Sequence, residues 1–303
     1  MNVSALAIVI PYYKLRFFEA TLESLANQTD HRFTLYIGDD ASPEDVLPLL
    51  ESYKKVMPLV YKRFQKNLGA KSLVRHWERC MKMMQGEPWL MIVGDDDILG
   101  PQVVAQFYKQ LPEFLGKMDV IRFATQKIDC YGQVISKTYY HPILELSINI
   151  LFNNNRSSLS EYVFRTAKVQ NIRFKNFPLA WSSDILGVLE FSSFNNLYSI
   201  NEAVVQVRYS DHSISGQQHP EQLLLKRKAK YLFYNYLLTK KASEFTETER
   251  KILLKKIQKT YSDDKKQLKR FFQISRLHIK TGYFKLYIKF LITIITTLYS
   301  KIK

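Results

Sequence analysis

The chain has 303 residues, 46% of them apolar, enough for one large or two modest domains with a real core. Its net charge of +16 would fit a nucleic-acid binder if it were spread over the surface, but it is concentrated. Residues 1–220 hold 23 Lys/Arg against 22 Asp/Glu, a net of +1, while residues 221–303 hold 21 against 6, a net of +15, with no nucleic-acid-binding motif. This shift predicts a near-neutral domain joined to a basic module, and no nucleic-acid partner. Two cysteines, Cys80 and Cys130, make neither a disulfide framework nor a metal-ligand spacing. With no basic n-region near residue 1, a reducing, cytoplasmic setting is expected.

Residues 5–10 (ALAIVI) are a β-branched run that stops at Pro11 and reads as a central parallel strand. Phe17, Phe18, Leu22 and Leu25 follow at helical spacing. Residues 33–37 (FTLYI) form a second strand ending in Gly38, Asp39, Asp40, Ala41, Ser42 and Pro43, before a helix over 43–53. A third strand over 59–64 leads through Asn67, Leu68 and Gly69 into a helix over 71–84. Residues 89–93 (WLMIV) form a fourth strand, which ends in Gly94 and three adjacent carboxylates, Asp95, Asp96 and Asp97. Alternating strands and helices predict an α/β fold with a mainly parallel sheet and a ligand site along the carboxyl ends of its strands. No GxGxxG or GxxxxGK[ST] follows a strand, which excludes dinucleotide-dehydrogenase and P-loop chemistry.

Three adjacent anions at a strand end repel one another. Either a divalent cation with oxygen ligands, Mg²⁺ or Mn²⁺, relieves them, or they form a solvated acidic turn with Asp97 capping a helix from about Gln102. Beyond Gly100 the pattern is less regular: a helix over 103–115, a strand over 118–126, a turn at 129–132, a strand over 131–140, a polar loop over 149–160 and a short strand over 161–164. Asp184 then stands after Trp181 at the start of an apolar helix, where its local role is that of a cap or dipole partner. Residues 204–216 (VVQVRYSDHSISG) are a strand followed by a loop with Arg208 and His212. Residues 221–303 read as helices throughout. The last stretch, 283–303, mixes aromatic and aliphatic residues with Lys285, Lys289, Lys301 and Lys303; its longest uncharged run, 290–300, is too short to span a bilayer. A basic helix with a large apolar face suits the surface of an anionic membrane, or packing on the protein itself.

The succession IVIPYY, YIGDDASPED, QKNLGAKSLVRHW and WLMIVGDDDIL resembles the family 2 glycosyltransferases, which have the GT-A fold. Four such pieces in order over about 95 residues are specific together where none is alone. The resemblance implies a GT-A domain over 1–216, with a nucleotide-binding half at 1–100 and an acceptor half at 101–216, and a basic helical extension over 217–303. It implies that Pro11, Tyr12 and Tyr13 line the base and ribose pocket, that Asp39 or Asp40 accepts a hydrogen bond from the base, and that Asn67 and Gly69 sit close to the nucleotide. Asp95 would contact the ribose. Asp96, with Asp97 and His212, would hold Mn²⁺ or Mg²⁺, and Arg208 would neutralise phosphate. Many relatives begin the acidic motif with Asp where this chain has Gly94, so which of the three carboxylates touches the metal stays open. Asp184 would be the general base, with Ser183 where a Glu often stands, and its apolar setting should raise its pKa. The implied activity is inverting transfer from a nucleoside-diphosphate sugar, a UDP-sugar, to a glycan or lipid-linked glycan of surface polysaccharide, on the inner face of the cell membrane. A nucleotidyltransferase, or a non-catalytic scaffold of the same fold, is the alternative.

Overall fold

β1 (Leu6–Tyr12), β2 (Phe33–Asp39), β3 (Leu59–Arg63) and β4 (Trp89–Ile92) pair in parallel, in the spatial order β3-β2-β1-β4. Between them run α1 (Phe18–Ala26), α2 (Leu47–Tyr53) and α3 (Leu73–Met81). β1 and β4 are buried on both faces, which is why their sequences are continuous apolar runs. The register brings the strand ends level: Tyr12 lies opposite Asp39, Asp39 opposite Arg63, and Val9 opposite Ile92. One rim of the sheet therefore carries Tyr12, Asp39, Arg63 and the turn that begins at Gly94.

β1 runs two residues further than its apolar pattern suggests, through Pro11 and Tyr12. The second half adds β5 (Ile98–Leu99), α4 (Val103–Phe114), β6 (Val120–Ile128), β7 (Leu144–Leu146), β8 (Tyr162–Arg165), α5 (Thr166–Ile172), α6 (Ser183–Phe191) and β9 (Asn196–Arg208). β8 inserts antiparallel between β4 and β6, β9 lies parallel beside β6, and β5 and β7 pair antiparallel with β9. The sheet is thus parallel in its first half and mixed in its second, with helices flanking it. The strand expected over 131–140 forms only two isolated bridges, Thr125 with Tyr139 and Ile128 with Val134. Side chains take over the ladder there: the Lys127 N–H donates to Ser136 Oγ at 2.8 Å, and Gln126 Nε2 donates to Thr138 Oγ1 at 2.8 Å.

The computed structural model describes residues 4–153, 157–211, 213–262 and 268–299. It divides into two compact units, Met1–Asn176 with Ser183–Gln217, and Phe177–Ser182 with Gln218–Lys303. The first holds the sheet and a core in which Trp89 packs edge-on against Phe107 and Phe114, at 5.9 and 5.4 Å between ring centroids. The second is built from α7 (Pro220–Lys240), α8 (Glu247–Ser262), α9 (Leu268–Thr281) and α10 (Phe284–Tyr299). Leu253, Leu254, Ile257 and Ile274 are buried in it, and Phe177 meets Phe233 edge-on at 6.2 Å. No described helix is long and apolar enough to cross a membrane.

Candidate active site

The β4 strand delivers Asp95, Asp96 and Asp97 to the rim, and the three are not equivalent. Asp95 Oδ2 accepts the backbone N–H groups of Tyr13 and Lys14, at 2.8 and 2.9 Å, and so ties the β4 turn to the end of β1. Asp97 is buried: Oδ1 accepts the Arg208 backbone N–H at 2.9 Å, and Oδ2 accepts the Ser160 hydroxyl. Ser160 Oγ in turn accepts the Gly94 N–H at 3.0 Å. Asp97 is therefore a cross-brace between the β4 turn, β9 and the segment before β8. It does not cap α4, whose N-cap is Gln102 without a side-chain bond.

Asp96 differs from both. It is half-buried, and among the described residues no hydrogen bond reaches its carboxylate. Burial, and then the like charges of Asp97 and Asp95, hold its pKa well above the usual carboxylate range, against the pull of Arg208 and Lys14. Gly94 explains itself here. A Cβ at that position would come within 2.9 Å of Asp96 Oδ1 and 3.1 Å of Asp97 Oδ2, so a larger residue there would have to displace those carboxylates. Among the described residues no group of three or more His, Cys, Asp or Glu side chains forms a ready metal cage. What this rim offers is one carboxylate without a hydrogen-bond partner among the described residues, beside two that are braced. That donor set fits a divalent cation that takes its other ligands from a diphosphate and water.

Asp39 and Asp40 form the second group. Asp39 is fully buried: Oδ1 accepts the Ser42 N–H at 2.7 Å, and Oδ2 accepts the Tyr61 hydroxyl at 2.7 Å and Arg63 Nη1 at 2.9 Å. Asp40 accepts the N–H groups of Leu68 and Gly69, both at 2.7 Å, and pairs with Arg79. Burial still raises the Asp40 pKa against those donors. Neither carboxylate caps α2, whose N-cap is Val46. Asp40 holds the 67–69 loop in place, and Gly69 is needed for that approach, since a Cβ there would lie 2.5 Å from Asp40 Oδ2. Asn67 closes the same loop, its Oδ1 accepting the Ala70 N–H at 2.9 Å. Behind the loop His76 is buried, and burial with the nearby Arg79 lowers its pKa to about 3, so it stays neutral and accepts from Arg79 Nε at 3.0 Å.

One expectation is corrected, and two further residues are engaged within the fold. Tyr12 does not line a pocket: β1 keeps its alternation through that residue, so the ring shares the core face of Leu6, Ile8 and Ile10 and packs on Phe18 at 4.6 Å. Arg208 is no arm free to close on phosphate. It is buried, with Nε donating to the Asp96 carbonyl at 2.9 Å, Nη1 to the Asp129 carbonyl at 2.7 Å, and its guanidinium 4.5 Å from the Phe17 ring centroid. Asp97 is committed to the braces already described. Pro11 and Tyr13 remain half-buried at the rim. His212 lies outside the described residues.

Asp184 sits in the first turn of α6, half-buried, and burial raises its pKa to about 6, against the backbone N–H groups of Ile185 and Asp184 itself. Its charge is felt by Tyr162, two residues along the chain from Ser160. Several participants carried no sequence signal of their own. Ser160 lay in a polar stretch read as loop, Lys14 contributes through its backbone, and Arg63 is marked only by register.

Residues 7–156 match the sequence model of Glycosyl transferase family 2. The chain belongs to the family 2 glycosyltransferases. A search of curated proteins finds no sequence match to this glycosyltransferase. Among solved structures, S. aureus TarS 1–349 in complex with UDP-GlcNAc is similar to it, with TM-score 0.65 and 16% identity over 86% of this chain and 74% of that one. TarS 1–349 in complex with UDP gives TM-score 0.62 and 16% identity over 86% and 73%. At that identity the likeness is one of fold, GT-A, and it extends past the residues the family model covers.

Proposed function

We propose that this glycosyltransferase is metal-dependent and inverting, and that it moves a sugar from a UDP-linked donor to a hydroxyl of a glycan or lipid-linked glycan in surface-polysaccharide synthesis. The observation that carries the reading is Asp96: a carboxylate crowded by two others at the rim of a GT-A sheet, with no hydrogen-bond donor among the described residues. The complexes of the fold-similar TarS with UDP and UDP-GlcNAc favour uridine over other nucleotides.

In this reading the base lies against Pro11 and Tyr13 with the Asn67–Gly69 loop beside it, Asp39 and Asp40 hold the turns that shape its pocket, and the ribose meets Asp95. Mn²⁺ or Mg²⁺ would be held by Asp96, oriented by the braced Asp97 behind it. Once bound, the cation would offset the charge that develops on the leaving diphosphate. Lys14, whose charge already lowers the pKa of Asp96 and Asp95, adds positive potential at the same place. Asp184 takes the proton of the acceptor hydroxyl as its oxygen attacks the anomeric carbon. The bond from that carbon to UDP breaks on the opposite face, which inverts the centre. A pKa of about 6 suits that task, since the group is ionised near pH 7.5 yet basic enough to accept a proton. The basic helical unit would hold the enzyme at the inner face of the cell membrane, where lipid-linked acceptors lie.

The test is incubation of the purified chain with a panel of UDP-sugars, with Mn²⁺ or with a chelator, reading UDP release and the anomeric configuration of the product. Metal-dependent UDP release with inversion is expected. Silence across the panel, or pyrophosphate released from a nucleoside triphosphate instead, would overturn the reading.

A further inference from the structure

The last two helices of the basic unit expose large apolar side chains in an ordered way. On α10, Phe284, Ile288, Ile292 and Ile295 are 54–57% exposed. At about 100° per residue they share one arc roughly 80° wide, and Lys285 and Lys289 stand on its shoulder. On α9, Leu268, Phe272 and Ile279 are 58–66% exposed along one line, with Arg276, Lys269 and Lys280 on the same shoulder. The opposite faces are packed: His278 stacks on Tyr287 at 5.5 Å, Phe271 on Phe290 at 6.2 Å, and Ile274, Phe290 and Ile294 are buried. Two helices thus repeat one layout, a packed face, an exposed apolar stripe and a cationic shoulder.

Residues 268–299 contain six Lys/Arg and no Asp or Glu. A second copy seated on these stripes would set cation against cation with no acid to neutralise them. An anionic lipid surface meets both demands, since acyl chains take the stripe while headgroup phosphates take the shoulder. Insertion across the bilayer is a poor alternative: α10 has 16 residues, about 24 Å, and Lys289 lies near its middle. We propose that the exposed stripes of α9 and α10 are the lipid-contacting surface of this enzyme, each helix lying in the plane of an anionic membrane. The inference rests on the membrane part of the preceding proposal and on none of its chemistry.

The test uses the full chain with vesicles of phosphatidylcholine, alone or mixed with phosphatidylglycerol, and reads co-sedimentation beside UDP release on the same samples, so that either can fail alone. Binding to the mixed vesicles only is expected. The double variant Lys285→Gln/Lys289→Gln should bind about thirtyfold more weakly. Ile288→Ser/Ile292→Ser should lose at least a hundredfold, at an order-of-magnitude level. All four side chains are exposed, so thermal melting should be unchanged. The proposal is overturned if the wild type ignores anionic vesicles, if the stripe variant binds as the wild type does, or if the wild type forms a dimer that Ile288→Ser dissociates while no form binds lipid.

Discussion

Replacing Asp184 by Asn tests function and stability with one atom. Burial raises the Asp184 pKa from 3.8 to about 6, so ionising the folded protein is harder than ionising the unfolded chain. The shift corresponds to about 3 kcal/mol, and solvent at the exposed edge of the carboxylate brings this to about 2 kcal/mol. The sign follows from linkage. The favourable contribution is fully present below pH 3.8, where the group is neutral in both states, and is lost as pH rises through about 6. Asn is neutral at every pH and can still accept the same backbone N–H bonds. Asp184→Asn should therefore be more stable than the wild type by about 2 kcal/mol at pH 7.5 and by about half that at pH 5. In a domain of this size that is a rise of roughly 4–8 °C in melting temperature at the higher pH. UDP affinity should stay within about twofold while transfer disappears. In the wild type, kcat/KM should climb about tenfold per pH unit below 6 and level off above it. An Asn variant that transfers sugar, or that melts no higher than the wild type at pH 7.5, would refute the assignment.

Two further substitutions separate braces from ligands. Asp97→Ala should lower stability by about 2–4 kcal/mol, because it leaves the Ser160 hydroxyl and the Arg208 N–H without their acceptor. Asp96→Asn should leave the melting temperature unchanged or raise it while abolishing the rise in melting temperature on adding Mn²⁺ with UDP; equal effects of the two would deny that they differ. Gly69→Ala puts a methyl 2.5 Å from Asp40 Oδ2, and should lower stability by about 1–3 kcal/mol and weaken UDP binding in calorimetry. A variant that melts and binds as the wild type does would remove the Asp40 clasp from the account.

The frame was legible where burial writes a period into the sequence. β1 and β4 are buried on both faces, so they read as unbroken apolar runs, and α4 and α6 follow from apolar spacing. β7 inverts that logic: Leu144 and Leu146 are exposed, and the buried residue is Glu145, paired with the buried Arg122 at 2.5 Å. No polarity pattern predicts a strand whose inward residue is an acid. β5 has two residues and exists through its pairing with β9. The site divides in the same way. That acids gather at the strand ends is visible in the sequence; which of them are already engaged is not, because the donors come from distant places. Ser160 reaches Asp97 across 63 positions, and Arg79 reaches Asp40 across 39. Tyr12 was misread for a related reason, since the strand continues through Pro11 and keeps the ring on its core face.

The acid count at the rim is therefore misleading unless donors are counted as well. Asp39, Asp40, Asp95 and Asp97 each accept two or more hydrogen bonds from the protein, and those bonds position the turns that meet there. Asp96 alone among these five has no such partner among the described residues, and its pKa is raised by burial first and then by the fixed neighbours Asp97 and Asp95. A group in that position has two ways to relieve repulsion, to keep a proton or to take a cation. Keeping a proton leaves a neutral group beside which the two charges of a diphosphate gain little. Taking a divalent cation would turn the same spot attractive to a diphosphate, and the braced Asp95 and Asp97 would keep the repulsion from relaxing away. On the proposed metal-dependent reading the braces and the ligand are one device: Asp95 and Asp97, held in place, maintain a repulsion that a cation at Asp96 would relieve.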